Sequence, residues 1–90
     1  MSRNRYDLVV VFYFYSPSVV PSIKAALKRG GLLFYCTYNW RHTSVRPEFN
    51  KAYLVQPGGL MSHFLDLEIL LNESEAGDHG NVSRLIARKN

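Results

Sequence analysis

The sequence predicts a small α/β domain with the element order β-α-β-(loop)-α-β-β and a four-stranded mixed sheet. Three observations predict it: an aromatic and β-branched run near the N-terminus, a helical pattern that leads into a second such run, and a polar turn between the last two apolar segments. The chain has 90 residues, of which 47% are apolar and 20% are charged. This composition is typical of a single globular domain over residues 1–90, and it excludes a disordered or collagen-like chain.

The first predicted strand covers residues 8–15, which read Leu-Val-Val-Val-Phe-Tyr-Phe-Tyr. A run without polar alternation is typical of a strand that is buried on both faces of a sheet. The run is far shorter than the roughly 20 apolar residues that cross a bilayer, so we expect no membrane segment. Cys36 is the single cysteine, which excludes an internal disulfide and favours a reducing, cytoplasmic location.

A helix and a second strand follow the first strand. Apolar residues at helical spacing predict the helix, with Ser18 as its N-terminal cap and Gly30-Gly31 at its C-terminal end. Residues 32–38 are again apolar and aromatic, and they predict the second strand. A strand, a helix and a strand in so short a segment form a right-handed βαβ unit, so we expect the two strands to be parallel.

The rest of the chain predicts a long loop, a short helix and a hairpin. Residues 39–56 show no strong periodicity, and a loop of this length is either functional or partly disordered. Pro57-Gly58-Gly59 opens the short helix, and residues 66–73 form the third strand. Residues 73–81 form an exposed turn, after which residues 82–88 return as an antiparallel fourth strand.

The formal net charge is +4, and it is unevenly distributed. Residues 1–51 carry eight basic and two acidic side chains, whereas residues 52–90 carry three basic and five acidic ones. A basic first half could attract phosphates or an acidic ligand. Because the basic residues fall in three separate places, solvated faces of separate elements are the simpler interpretation.

Four segments, in this order, resemble one known family. They are Tyr-Asp-Leu-Val-Val-Val-Phe at residues 6–12, Ala-Leu-Lys-Arg-Gly-Gly-Leu-Leu at residues 26–33, Pro-Gly-Gly-Leu at residues 57–60, and Ser-Arg-Leu-Ile-Ala-Arg-Lys at residues 83–89. Together they resemble the C-terminal half of a class I S-adenosylmethionine-dependent methyltransferase, nearest to the small tellurite-resistance-like branch. The sequence departs from the family pattern at Arg29 and Gly59, where a proline and an acidic residue are usual.

The resemblance implies a partial Rossmann-like methyltransferase fold, with the strands in the spatial order first, second, fourth, third. It also implies two helices on one face of the sheet, an uncovered opposite face, and a first strand that lies at the edge because its usual neighbour is missing. A long apolar edge is a template for association. We therefore expect a homodimer or higher oligomer through residues 8–15 or through the uncovered face, or else an N-terminal half supplied by another chain.

The resemblance further defines the expected site. In the family, a Gly-rich turn and an acidic residue hold S-adenosylmethionine, and this sequence contains no Gly-x-Gly-x-Gly. We therefore expect that the isolated chain binds no cofactor, and we assign no catalytic residue. The carboxyl ends of the first two strands remain as a partial pocket. The residual pocket candidates are Phe14, Tyr15 and Ser16, and the substrate-side candidates are Thr37, Tyr38, Trp40, Arg41 and His42.

Other chemistry-bearing residues give weaker patterns. Trp40, Arg41 and His42 either contact a substrate or simply anchor the loop that they begin. His42, His63 and His79 have neither helical spacing nor a surrounding cluster of cysteines or carboxylates, so we expect no metal site. Cys36 lies in an apolar strand with no histidine beside it in the sequence, which favours a core residue over a nucleophile.

Three classes of function remain open from the sequence. The first is a methyltransferase-derived module that lacks a complete cofactor site, is not active alone, and works through self-association or a completing partner. The second is an independent association or scaffold domain that keeps the fold without the chemistry. The third is a basic nucleic-acid-binding module; its RNA-recognition form requires a Gly-Phe-Val-type motif and a polar, exposed sheet face, which the sequence does not predict.

Overall fold

The computed structural model of the chain describes residues 5–90, and its centre is a four-stranded sheet. The elements are β1 (Tyr6–Phe12), α1 (Val20–Ala26), β2 (Leu27–Tyr38), α2 (Gly59–Ser62), β3 (Glu68–Ala76) and β4 (Val82–Arg88). The sheet order is β1-β2-β4-β3, with β1 and β2 parallel and β4 antiparallel to both of its neighbours. The predicted α/β class and the mixed four-stranded sheet are confirmed.

The first strand is shorter and more exposed than the sequence predicts. Tyr13 has a φ of +54°, a left-handed conformation that residues other than glycine rarely adopt, and β1 ends just before it. Val9 is only 8% exposed, whereas Val10 is 46% and Phe12 is 62% exposed. The prediction of a strand buried on both faces is therefore wrong, because no layer within residues 5–90 packs on the second face of β1.

The end of the first helix also differs from the prediction. Helix α1 ends at Ala26, and β2 begins at the next residue rather than after Gly30-Gly31. In the pairing with β1, β2 advances five residues while β1 advances two, so β2 carries a bulge here. Gly30 has a φ of +84°, and a Cβ on Gly31 would lie 2.8 Å from the carbonyl oxygen of Lys28. The two glycines therefore form the bulge and do not cap the helix.

Neither end of α1 is closed as the sequence predicts. Ser18 lies in a 3-10 turn (Pro17–Val19) that precedes α1, and the cap position of α1 makes no side-chain hydrogen bond. At the other end, the ammonium group of Lys89 donates to the carbonyl oxygens of Lys24 and Leu27, at 2.8 and 2.9 Å. A lysine from the C-terminal segment thus satisfies carbonyls that the end of a short helix leaves without intrahelical partners.

Both helices pack on one face of the sheet, and the core lies between them and the strands. Side chains that alternate along the strands point into this layer, as expected for a sheet with one covered face. The buried cluster comprises Val9, Val20, Ile23, Ala26, Leu27, Leu33, Tyr35, Val55, Leu60, Phe64, Leu67, Leu85 and Ala87. The placement of both helices on one side agrees with the arrangement that the resemblance implies.

The opposite face of the sheet, called the bare face from here on, is covered by no helix among the described residues. Its ladder partners form three rows across β1, β2, β4 and β3: Leu8–Leu32–Arg88–Glu68, Val10–Phe34–Ile86–Leu71 and Phe12–Cys36–Arg84–Glu73. The half formed by β1 and β2 is apolar. On the other half, Arg84 Nε lies 3.4 Å from Glu73 Oε1, and Arg88 Nη1 lies 3.7 Å from Glu68 Oε1.

The loop over residues 39–56 is more ordered than a structureless connection. It contains two 3-10 turns, Trp40–Ser44 and Lys51–Tyr53, and an isolated parallel bridge joins Asn39 to Val55. The strands after it resemble the prediction, since β4 has the predicted bounds and β3 is shifted towards the turn. Across the part of the chain that the structure describes, no helix is long and apolar enough to cross a membrane.

Candidate functional site at the carboxyl ends of the parallel strands

The candidate residues that follow β1 are held by two tyrosine hydroxyls. Tyr35, from the centre of β2, donates its hydroxyl to the carbonyl oxygen of Phe14 at 2.6 Å. The hydroxyl of Tyr15 lies 2.8 Å from Nε2 of His63, just after α2. The turn that begins at Tyr13 is therefore fastened to β2 and to the end of α2, although these residues are distant in the sequence.

These hydroxyls position the chain and are poor proton acceptors. Burial raises the pKa of Tyr15, and burial together with the neighbouring Tyr15 raises the pKa of Tyr35 to about 12. Both phenols therefore stay protonated near neutral pH. A general base at this end of the sheet would have to be another group, since a base works best with a pKa near the operating pH.

Phe14 is 53% exposed and lines an apolar depression between β1 and α1. The depression has a volume of about 340 Å³ and is also lined by Val11, Val19, Ser22 and Ile23. Ser16 is not among the residues that line it, and its hydroxyl lies 2.9 Å from that of Ser18. The lining offers apolar contact and a single hydroxyl, whereas cofactor pockets place several polar groups that fix the ligand.

The candidates that follow β2 form an aromatic stack around a histidine. The rings of Tyr38 and His42 are stacked at 3.7 Å between centroids, with an interplanar angle of 9°. Phe49 meets the imidazole edge-on at 4.8 Å, and Tyr13 lies 4.8 Å from Tyr38 on the other side. Tyr13 thereby joins the ends of β1 and β2, which the sequence places together only through the βαβ pattern.

His42 is 5% exposed and sits in this stack as a neutral ring. The side-chain amide nitrogen of Asn81 lies 3.0 Å from its Nδ1. Because an amide nitrogen only donates, Nδ1 accepts and the ring proton is on Nε2. Burial, followed by the positive charge of Arg46, lowers the pKa of His42 below its usual value, and the nearby Glu48 opposes this shift.

Asn39 fastens the start of the loop to the β3–β4 hairpin. Its side-chain amide nitrogen donates to the carbonyl oxygens of Ser74 at 2.8 Å and Gly80 at 3.0 Å. Its Oδ1 accepts from the backbone N–H of Arg41 at 2.8 Å, so it also caps the first 3-10 turn. The residue is fully buried, and all of these bonds hold the loop in place.

The remaining substrate-side candidates point in different directions. Thr37 is 2% exposed and lies within the fold. The guanidinium of Arg41 pairs with the carboxylate of Glu75 at 3.0 Å, and the backbone N–H of half-buried Trp40 donates to Val55. The structure thus brings Tyr38 and His42 together, while the side chains of the other three make separate contacts. These contacts agree with the interpretation of residues 40–42 as a loop anchor.

Several residues that position the site are not marked by any local sequence pattern. Tyr35, His63 and Asn81 act through partners that are far away in the sequence, and no local pattern marks them. Tyr13 lies inside an apolar run that predicts an uninterrupted strand. Asn39 alone carries a readable signal, because an asparagine directly after a strand and before a turn is a common N-terminal cap.

Cys36 is not a core residue as predicted, but lies half-buried on the bare face. Burial raises the pKa of its thiol, and the nearby Arg84 opposes this shift less strongly. A thiol with a raised pKa is a weak nucleophile near neutral pH. Within residues 5–90, no three histidine, cysteine or acidic side chains gather closely enough to hold a metal ion.

Comparison with known proteins supports the fold. No family model matches the sequence, and no curated protein matches it either. Among solved structures, the crystal structure of TehB from Haemophilus influenzae superposes with a TM-score of 0.71 at 15% sequence identity. The match covers 98% of this chain and 37% of the TehB chain. The likeness supports a methyltransferase-like fold, and the chain spans little more than a third of the length of that neighbour.

Proposed function

We propose that this chain is a methyltransferase-derived module that acts by association and is not catalytic alone. It corresponds to the C-terminal half of the methyltransferase fold, and its partner is a second copy or a chain that supplies the missing half. The observation that carries the proposal is the exposure of apolar side chains on β1, at the edge of the sheet. There, Leu8, Val10 and Phe12 lie 46–62% exposed on an edge strand.

The residues at the strand ends do not fit S-adenosylmethionine. The hydroxyls of Tyr15 and Tyr35 are already engaged, and the depression beside Phe14 offers only Ser22 as a polar side chain. Two acidic side chains near the second group of candidates are already paired, Glu75 with Arg41 and Glu48 with Arg46. A cradle for ribose hydroxyls and a charged sulfonium would have to come from elsewhere. This supports a module that binds no cofactor by itself.

The bare face favours a protein partner over a nucleic acid. Phe12 and Phe34 are exposed aromatic side chains on neighbouring strands, as in sheet surfaces that stack bases. However, Glu73 and Glu68 neutralise the two arginines of this face, so it presents no net positive charge to phosphates. An independent association domain remains the second candidate, and the single cysteine is in keeping with a cytoplasmic location for either.

Light scattering and calorimetry together test the proposal. We expect the purified 90-residue chain to elute as a dimer or larger species at micromolar concentration. We also expect no heat of binding with S-adenosylmethionine up to millimolar concentration. A monomer that binds the cofactor alone would contradict both halves of the proposal. The same titration with S-adenosylmethionine is then repeated in the presence of a Gly-rich N-terminal half of a methyltransferase. Heat of binding in the mixture indicates a module completed by a partner, and no heat indicates an independent association domain.

A further inference from the structure

We propose that two copies of this chain join through β1, antiparallel about a two-fold axis at Val10, so that their sheets become one continuous sheet. The inference rests on the proposed function, because it specifies how self-association occurs. The segment involved, called the β1 edge from here on, is the outward backbone of Leu8, Val10 and Phe12. The direction of the backbone amides, the symmetry of the ladder, the exposed area and the charge on the bare face each support it.

The backbone of β1 directs alternate amides to opposite sides. The N–H of Tyr13 donates to the carbonyl of Cys36 at 2.8 Å, and the N–H of Arg5 donates to that of Ala26 at 2.9 Å. From Tyr13 backwards, the odd-numbered residues of β1 therefore face β2. The N–H and C=O groups of Leu8, Val10 and Phe12 face outward, where the sheet has no further strand among the described residues.

An antiparallel pair centred on Val10 uses all of these outward groups. Val10 then lies opposite its own copy, and Leu8 of each chain lies opposite Phe12 of the other. Each opposing pair exchanges both of its backbone hydrogen bonds. The side chains in these pairs are apolar and lie on the bare face next to one another, where cross-strand apolar pairs are favourable.

The accessible apolar area of β1 and the turn after it is an upper limit on what the pairing can bury, and it reaches what a standard dimer requires. Phe12, Tyr13 and Phe14 are 62%, 58% and 53% exposed, and Leu8 and Val10 are 51% and 46% exposed. With about 200 Å² for each aromatic side chain and somewhat less for the aliphatic ones, about 500 Å² of apolar surface is accessible here. A standard interface buries about 800 Å² per partner, of which about 60% is apolar, or again about 500 Å².

Pairing at the edge is also better supported than stacking of the two bare faces. Stacked faces would bury the ion pairs Arg84–Glu73 and Arg88–Glu68, and the removal of charged groups from water is unfavourable. The segment from Leu8 to Tyr15, in contrast, carries no charged side chain.

Disulfide trapping tests this register. In a Cys36→Ser background, Val10→Cys places the two introduced thiols opposite each other, with Cα atoms about 5.5 Å apart, within the range that a disulfide spans. We expect mild oxidation to give a covalent dimer of most of the protein. Leu8→Cys and Phe12→Cys should not cross-link alone, since each lies roughly 13 Å from its own copy. A mixture of these two variants should cross-link.

Phe34→Cys in the same background is the matched control, because Phe34 is exposed on the bare face but lies on β2. In the proposed dimer its two copies are about 14 Å apart and stay reduced, whereas stacked bare faces would bring them together. A wild-type dimer in which Phe34→Cys cross-links and Val10→Cys does not would overturn the register and leave the proposed self-association standing. A wild-type monomer by light scattering at micromolar concentration would overturn both.

Discussion

The two edge strands of the sheet differ in charge and in the regularity of their pairing. Strand β3, at one edge, carries Glu68, Glu73 and Glu75, and its pairing with β4 is irregular at two places. Charges and bulges of this kind prevent a sheet from adding strands. Strand β1, at the other edge, is regular and uncharged from Leu8 to Phe12. Within residues 5–90, the edge at β3 is therefore protected against pairing and the edge at β1 is not, and β1 is the edge at which we propose association.

The largest expected effect comes from proline at neighbouring positions of β1. Val9→Pro removes an N–H that faces β2 and a side chain that is only 8% exposed, at a cost of about 3 kcal/mol or more. Because small domains are stable by only about 5–15 kcal/mol, we expect a strongly lowered melting temperature. Val10→Pro removes only an outward N–H, which edge strands tolerate. Circular dichroism should show a nearly unchanged melting temperature for Val10→Pro, and light scattering should show that this variant is a monomer. Equal melting temperatures for the two variants would contradict the assigned amide directions.

A lysine substitution on each edge strand tests which of the two strands forms the dimer interface. Val10→Lys sets two ammonium groups opposite each other in the proposed dimer, and we expect the dissociation constant to rise at least about tenfold. Leu70→Lys is the control, because Leu70 is 44% exposed on β3 and Val10 is 46% exposed on β1. Analytical ultracentrifugation should show no change for the control. Loss of the dimer in both variants would show that the protected edge also takes part.

Removal of one hydroxyl tests how firmly the end of β1 is held. Tyr35→Phe deletes the 2.6 Å hydrogen bond to the carbonyl of Phe14, and we expect a loss of about 1 kcal/mol in the free energy of unfolding. The turn at Tyr13 should loosen while the β1 edge still pairs. The free energy of unfolding in urea should therefore change by more than the free energy of dimer dissociation. As a control, Tyr53→Phe changes an exposed tyrosine and should leave both quantities unchanged.

The smallest effect is a pH dependence that arises at His42, which joins the loop after β2 to Asn81 before β4. The pKa of His42 is lowered below 6.5 in the folded chain, so the unfolded chain binds the proton more readily. The contribution of His42 is then complete above pH 6.5 and declines as the pH falls towards the folded pKa. We expect urea unfolding to show lower stability at pH 5.5 than at pH 7.5, and His42→Gln to reduce this difference. An equal difference in the variant would assign the effect to another group.

The sequence predicts local patterns well and long-range contacts poorly. The strand–helix–strand unit and the bounds of β4 follow from periodicity and turn residues, which are local properties. The same apolar run that predicts β1 cannot show which face is covered, because that depends on what packs there. The bond between His42 and Asn81 joins residues 39 positions apart, so the order of the loop could not be read from its own composition.

The candidate site was predictable only in outline. The rule that ligands lie at the carboxyl ends of parallel strands directs attention to the end of the sheet where Tyr38 and His42 meet. It does not reveal that Tyr13 leaves the strand in a left-handed conformation, or that Arg41 turns towards Glu75. Both features depend on partners from other elements, and a single sequence carries no record of those contacts.

The irregular pairing of β3 has a consequence for the size of the assembly. A sheet in which both edge strands can pair grows without limit, because every added copy leaves another unpaired edge strand. The product is a fibre. In this molecule the proposed pairing consumes the β1 edge of both copies, and the outermost strands are then two copies of β3, which resist pairing. In the proposed assembly, growth therefore stops after one step, and the glutamates of β3 set the stoichiometry of an interface in which they take no part.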